Sequence, residues 1–172
     1  FISGLPRHCL CVLDEAYFEF VVNKEGINSL DWLKTHPNLI ITRTFSKAYG
    51  LAGLRVGYSL SSPEIADILN RVRQPFNNNA LALVAAEAAL ADEDYLQQTI
   101  AVNAQGMLDL TAGFKALGLE WIPSAGNFVS VDLKRPGQPI YDALLRKGVI
   151  VRPVANYGMP NHLRISIGTQ AE

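Results

Sequence analysis

The chain of 172 residues is long enough for a substantial core, since a domain near this size buries about 70% of the surface that its unfolded form exposes. Its 15 Lys and Arg against 16 Asp and Glu give a net charge of -1 with the signs interspersed, which leaves no electrostatic footprint for nucleic acid or an anionic membrane. No apolar run approaches the roughly 20 residues of a membrane helix, no signal-peptide order opens the chain, and Cys9 and Cys11 share one strand face where they neither bridge nor build a metal site, so a soluble protein of the reduced cytoplasm is expected.

Along the chain, Cys9 to Leu13 and Asn38 to Thr42 are short apolar runs with β-branched residues, each followed by polar ones, the form of buried parallel strands with chemistry at their ends. Asn28 to Thr35 between them suggests a short helix. Arg55 to Leu60 reads as a strand, Pro63 to Arg73 as a helix with Pro in its first turn, and Ala80 to Leu90 as a helix apolar nearly all round, hence expected between layers. From Glu93 to Leu117 apolar residues recur at three to four, which predicts one long helix ended by Gly118 and able to join two domains. Strands are predicted at Phe128 to Leu133, Val149 to Arg152 and His162 to Ile167, with a helix over Pro139 to Lys147; the last strand alternates, so that His162, Arg164 and Ser166 share its polar face. The expectation is an α/β fold divided at 1–95 and 96–172, the second part a smaller α+β unit entered by the long helix. Both ends read as cut. The chain opens at Phe1, and Thr169-Gln170-Ala171-Glu172 has the form of a capping box, announcing a final helix that is missing.

Two segments carry chemistry. Val12-Leu13-Asp14-Glu15-Ala16-Tyr17 puts an acid at the end of a strand, where open α/β sheets place ligand sites; read alone, it serves equally as a cap or turn residue. In Thr44-Phe45-Ser46-Lys47-Ala48-Tyr49-Gly50-Leu51-Ala52-Gly53-Leu54-Arg55-Val56-Gly57-Tyr58, a single Lys lies among hydroxyls and glycines just past a strand, with Arg55 at the mouth of the next. Hydroxyls, backbone N–H groups and a guanidinium fork suit a phosphate dianion and free the Lys for another task. The glycines follow the Lys rather than precede it, which disfavours a nucleotide-binding P-loop; from this segment alone a solvated surface Lys remains open.

Together the two segments resemble the fold-type I pyridoxal phosphate (PLP) enzymes, and Asp-Glu-Ala-Tyr followed by Ser-Lys-Ala-Tyr-Gly-Leu-Ala-Gly-Leu-Arg-Val-Gly-Tyr is similar to the histidinol-phosphate aminotransferase family. Arg73-Gln74-Pro75-Phe76-Asn77 and Asn161-His162-Leu163-Arg164-Ile165-Ser166-Ile167-Gly168 extend the resemblance over nearly the whole chain. It implies the C-terminal half of an aminotransferase: residues 1–95 as part of the PLP-binding large domain with a mainly parallel sheet, and 96–172 as the small domain. It implies Lys47 as the catalytic Schiff-base residue and general acid and base, Asp14 at the pyridine nitrogen, Tyr17 at the phenolic oxygen, and Thr44, Ser46 and Arg55 at the phosphate. Arg164 would receive the substrate's anionic group and Arg152 would support a substrate phosphate.

The implied reaction is amino transfer between histidinol phosphate and 2-oxoglutarate in histidine biosynthesis, by a homodimer. A phosphothreonine decarboxylase, an aminotransferase for aromatic or other amino acids, and a non-catalytic folded fragment are the alternatives. The family also carries, before the Asp strand, further phosphate donors, a ring-stacking aromatic, an asparagine and a dimer arm. None is in this sequence, so the chain by itself is expected to hold the cofactor weakly and to be inactive. His8, His36 and His162 have no metal-ligand spacing.

Overall fold

The two apolar runs near the start become neighbouring strands, β1 (Cys11–Asp14) and β2 (Leu39–Thr44), in a computed structural model that describes residues 1–21 and 28–172. They pair in parallel, Val12 with Ile40 and Asp14 with Thr42, so both polar ends emerge on one side of the sheet. Between them lies α1 (Ser29–Trp32), and after β2 comes β3 (Gly57–Ser61), which pairs antiparallel to β2, Arg43 opposite Tyr58 and Thr44 opposite Gly57. The sheet is therefore mixed, where the sequence predicts a mainly parallel one. A parallel neighbour requires a crossover, usually helical, and the Lys47 segment that joins β2 to β3 holds only the short 3-10 turn Ala52–Leu54.

The chain divides into two compact units, Phe1–Gln97 and Gln98–Glu172. In the first, α2 (Pro63–Val72) starts at Ser62, whose hydroxyl accepts the Ile65 N–H, with Pro63 where a missing N–H costs nothing. Next, α3 (Ala80–Ala91) is capped by Asn79, whose side chain accepts the Ala82 N–H at 2.8 Å. Its alanine face, Ala82 and Ala86, packs on Phe45 and Val56. The expected burial of this helix between layers is not met among the described residues, where Leu81 and Val84 are 78% and 67% exposed. Uniform apolarity removes the periodic signal that tells which face is covered, and here only the small side chains find partners within the unit. The β1 run is likewise less buried than its composition suggests, with Leu10 and Val12 exposed on a strand flanked by β2 alone among the described residues.

The long predicted helix is α4 (Glu93–Ala116), which begins in the first unit and continues into the second. Gly118 at φ 69° lets the Leu119 N–H turn back to the Phe114 carbonyl and stop it. The second unit is built on a four-stranded sheet of order β4-β5-β7-β6, with β4 (Glu120–Ile122), β5 (Phe128–Asp132), β6 (Arg152–Pro153) and β7 (His162–Ser166) all antiparallel. Its core joins Phe114, Val129, Val131 and Leu163 to Trp121, Ile140 and Leu144, the last two from α5 (Gly137–Leu145). Strand alternation sends Leu163 and Ile165 into that core and His162, Arg164 and Ser166 to the other face. The three-residue β4 is not predicted from the sequence, and β6 begins at Arg152 rather than Val149.

At the end of the chain the Thr169 N–H and hydroxyl both donate to the Glu172 carboxylate at 2.9 Å; the first is one half of a capping box, while the Glu172 N–H donates to the Thr169 carbonyl instead of its hydroxyl. The two bonds to the carboxylate, led by the backbone one, hold the Glu172 carboxyl below its ordinary range. Among the described residues no helix is long and apolar enough to cross a membrane, and no group of three or more His, Cys, Asp or Glu is arranged to hold a metal. Cys9 and Cys11 are free thiols.

Candidate active site

In the first unit the site forms where β1 and β2 end and the loop to β3 begins. Asp14 is the last residue of β1; its side chain is exposed, and its Oδ1 accepts the Ala16 N–H at 3.0 Å, which turns the chain sharply off the sheet. Its register partner is Thr42, and one step on along the same face stands Thr44. The Thr44 hydroxyl accepts the Ser46 N–H at 3.1 Å, so its own proton remains available to an anionic acceptor.

Lys47 follows in a turn closed by the Gly50 N–H on the Lys47 carbonyl at 3.0 Å, while Phe45 and Ala48 anchor the loop in the core. Gly50 has φ 70° and lies against the Tyr95 hydroxyl, which a Cβ there would meet at 2.8 Å, so the turn depends on glycine. The Lys47 Nζ lies 5.3 Å from the centre of the Tyr17 ring, within cation–π range, so residues thirty positions apart are brought together. Arg55 adopts φ 55°, uncommon for a residue with a side chain, and its Nη1 donates to the Ala52 carbonyl at 2.9 Å and the Ser46 hydroxyl at 3.3 Å. A hydroxyl and a guanidinium thus flank Lys47 in one loop.

The two remaining candidates belong to the second unit and stand together there. Arg152 on β6 is the register partner of Arg164 on β7. Directly opposed residues of an antiparallel pair project to one face, where like charges repel. The Arg164 guanidinium lies 4.7 Å from the Phe128 ring centre, yet its Nε is buried without a hydrogen-bond partner among the described residues, as is the Nδ1 of His162 two residues earlier. A face with two guanidiniums and unmet donor capacity suits a multiply charged anion.

Sequence reading misses the best-built contact of the region. Glu15, next to Asp14, is buried, and its Oε2 accepts from Arg43 Nε at 2.9 Å and Nη2 at 2.8 Å; the side chains are 8% and 14% exposed. Arg43 also lies 4.0 Å over the Phe18 ring. Burial by itself pulls the Arg43 pKa down, but hydrogen bonding to Glu15 and Tyr58 outweighs it and raises the value above the ordinary range. The only sequence signal is a charged residue in each of two strand-end segments, which does not reveal that they pair.

The comparison with protein families decides the class of this arrangement: the model for aminotransferase class I and II matches residues 5–172. The chain belongs to that family. Among curated aminotransferases it is 61% identical over all 172 residues to histidinol-phosphate aminotransferase 2 of Pseudomonas fluorescens, covering 46% of that protein. It is 62% identical to histidinol-phosphate aminotransferase 2 of Pseudomonas aeruginosa, covering 47%. Among solved aminotransferases, the histidinol-phosphate aminotransferase of Sinorhizobium meliloti, crystallised in complex with pyridoxal-5'-phosphate, superposes with a TM-score of 0.89 at 38% identity, over 98% of this chain and 47% of that one. The chain spans about half the length of the curated relatives it matches.

Proposed function

We propose that the full-length protein carrying this chain is a PLP-dependent aminotransferase that moves the amino group of histidinol phosphate to 2-oxoglutarate, giving imidazole acetol phosphate and glutamate. The observation that carries the reading is the Lys47 loop, in which Lys47 lies over Tyr17 while the adjacent Ser46 holds the Arg55 guanidinium. The donor set fits the cofactor. Thr44, Ser46 and Arg55 would hold its phosphate with two hydroxyls and a guanidinium, and the exposed Asp14 carboxylate would hold its ring nitrogen. Tyr17 would hydrogen-bond the phenolic oxygen, and Lys47 would bind the carbonyl carbon.

When bound, pyridoxal phosphate supplies an electron sink for charge released at the substrate carbon. Asp14 favours the protonated ring because a neighbouring opposite charge stabilises the charged form. The Lys47 side chain would supply the amine, which in its neutral form attacks carbon and accepts a proton. Lys47 would take a proton from the substrate carbon as general base and, as general acid, deliver it to the cofactor's carbonyl carbon. Arg152 and Arg164 would receive the substrate's anionic groups; a phosphorylated amine uses two guanidiniums better than a simple amino acid does. Homologues named histidinol-phosphate aminotransferase support this choice of substrate.

Reductive labelling tests the reading directly. Pyridoxal phosphate and borohydride applied to the full-length protein should modify Lys47, located by peptide mass spectrometry, and Lys47→Ala should abolish the label. Equal labelling of the variant would sink the assignment. Turnover of histidinol phosphate against phosphothreonine then separates transamination from decarboxylation.

A further inference from the structure

We infer that the buried Glu15–Arg43 pair is a positioning device that fixes Asp14 relative to the Lys47 loop, an inference that rests on the proposed reading of Asp14 and Lys47. Three facts about placement carry it. Glu15 is the neighbour of Asp14, and its backbone N–H is pinned to the Thr42 carbonyl at 2.9 Å. Arg43 stands on β2 between Thr42, the register partner of Asp14, and Thr44, whose hydroxyl starts the loop to Lys47. Alternation sends Arg43 to the face opposite Asp14 and Thr44, where Tyr58 is its cross-strand partner. The ion pair is therefore a clasp behind the site, joining the end that bears the acid to the end that bears the hydroxyls.

A clasp is useful because Asp14 is exposed at the tip of β1. Apolar contacts would hold the strand ends together without fixing their offset. Two N–H donors converging on one carboxylate oxygen, over the Phe18 ring, define both distance and direction. Taking two charges out of water is costly, and a well-packed apolar pair is often as stable, so the fixed geometry is the gain that explains an ionic pair here. Gly57 belongs to the same clasp: a Cβ there would meet the Arg43 carbonyl oxygen at 2.7 Å and push β2 out of line.

The test separates positioning from stability in the full-length protein. The double variant Glu15→Leu/Arg43→Met replaces the ion pair with apolar side chains of similar size and should keep the parent's circular dichroism spectrum and melting temperature. Its borohydride-fixed pyridoxyl label at Lys47 should nevertheless fall about tenfold, as expected when reacting groups shift by a fraction of an ångström, and the pH midpoint of the visible cofactor absorbance should move. Full labelling at the parent's midpoint in the folded double variant would overturn the inference and leave the pair a purely structural contact. If the double variant does not fold, Arg43→Lys, which keeps the charge and loses the fork, is judged by the same two outcomes. Failure of the underlying reading is separately visible, because Lys47→Ala would then label as the parent does.

Discussion

The candidate-site cations of the two units are held in different ways. In the first, Arg43 is clasped by Glu15, Arg55 by Ser46 and the Ala52 carbonyl, and Lys47 lies over Tyr17, while in the second Arg164 lies over Phe128. In the second, Arg152 and Arg164 face each other across β6 and β7, and a buried Arg164 Nε has no hydrogen-bond partner among the described residues. The first region holds its cations in fixed contacts, which fits the proposed cofactor site whose reactive atoms must be aligned. The second leaves Arg164 Nε without a hydrogen-bond partner among the described residues, which fits the proposed substrate anion site.

The largest effect expected from breaking this contrast is at Lys47. Lys47→Ala in the full-length protein should lower kcat by at least about a thousandfold, since both a nucleophile and a proton carrier are lost; a steady-state assay with histidinol phosphate measures it, and retained turnover would contradict the assignment. Next is the clasp. Glu15→Ala leaves the buried Arg43 charge without its anionic partner, and denaturant melts should show a loss of about 3 kcal/mol or more.

Smaller effects belong to the arginine face. Arg164→Ala should raise the KM for a phosphorylated substrate about ten- to a hundredfold, the scale of one charged hydrogen bond or two, with a lesser effect on kcat. Arg152→Gln should have an inverted signature, stabilising the ligand-free protein by about 0.5 kcal/mol through relief of like-charge repulsion while weakening stabilisation by added inorganic phosphate in thermal melts. A destabilised ligand-free variant would show that the pair is neutralised from elsewhere. The smallest effect is at Glu172, whose folded pKa is depressed by the Thr169 N–H. Its contribution to the final turn is present above the ordinary glutamate range and is lost as pH falls through the lowered value; a carboxylate titration by NMR reads the shift directly.

How much of this was legible depended on whether the signal was local. β-Branched runs ending in polar residues gave β1 and β2 to within two residues, Pro63 announced the start of α2, and the apolar period of α4 stopped at Gly118 as its glycine predicts. Lys47 and Arg55 were singled out because hydroxyls, Lys, glycines and Arg stand in one short segment, and the Asp14 segment added the resemblance. What escaped was non-local or non-periodic. The Glu15–Arg43 pair spans 28 positions with nothing between them to indicate it. The exposed side of α3 was hidden by a composition equally apolar on every face, and β4 has three residues, too few for an alternation to register.

Arg55 has a consequence for anyone who would make this protein sturdier. Its φ of 55° is a conformation that glycine adopts freely and arginine does not. A stability screen should therefore favour Arg55→Gly, and the same substitution removes the guanidinium that Ser46 holds beside Lys47. On the proposed role of Arg55, the same substitution that relieves the backbone would weaken cofactor retention, so a screen for thermostability at this position selects against the proposed activity.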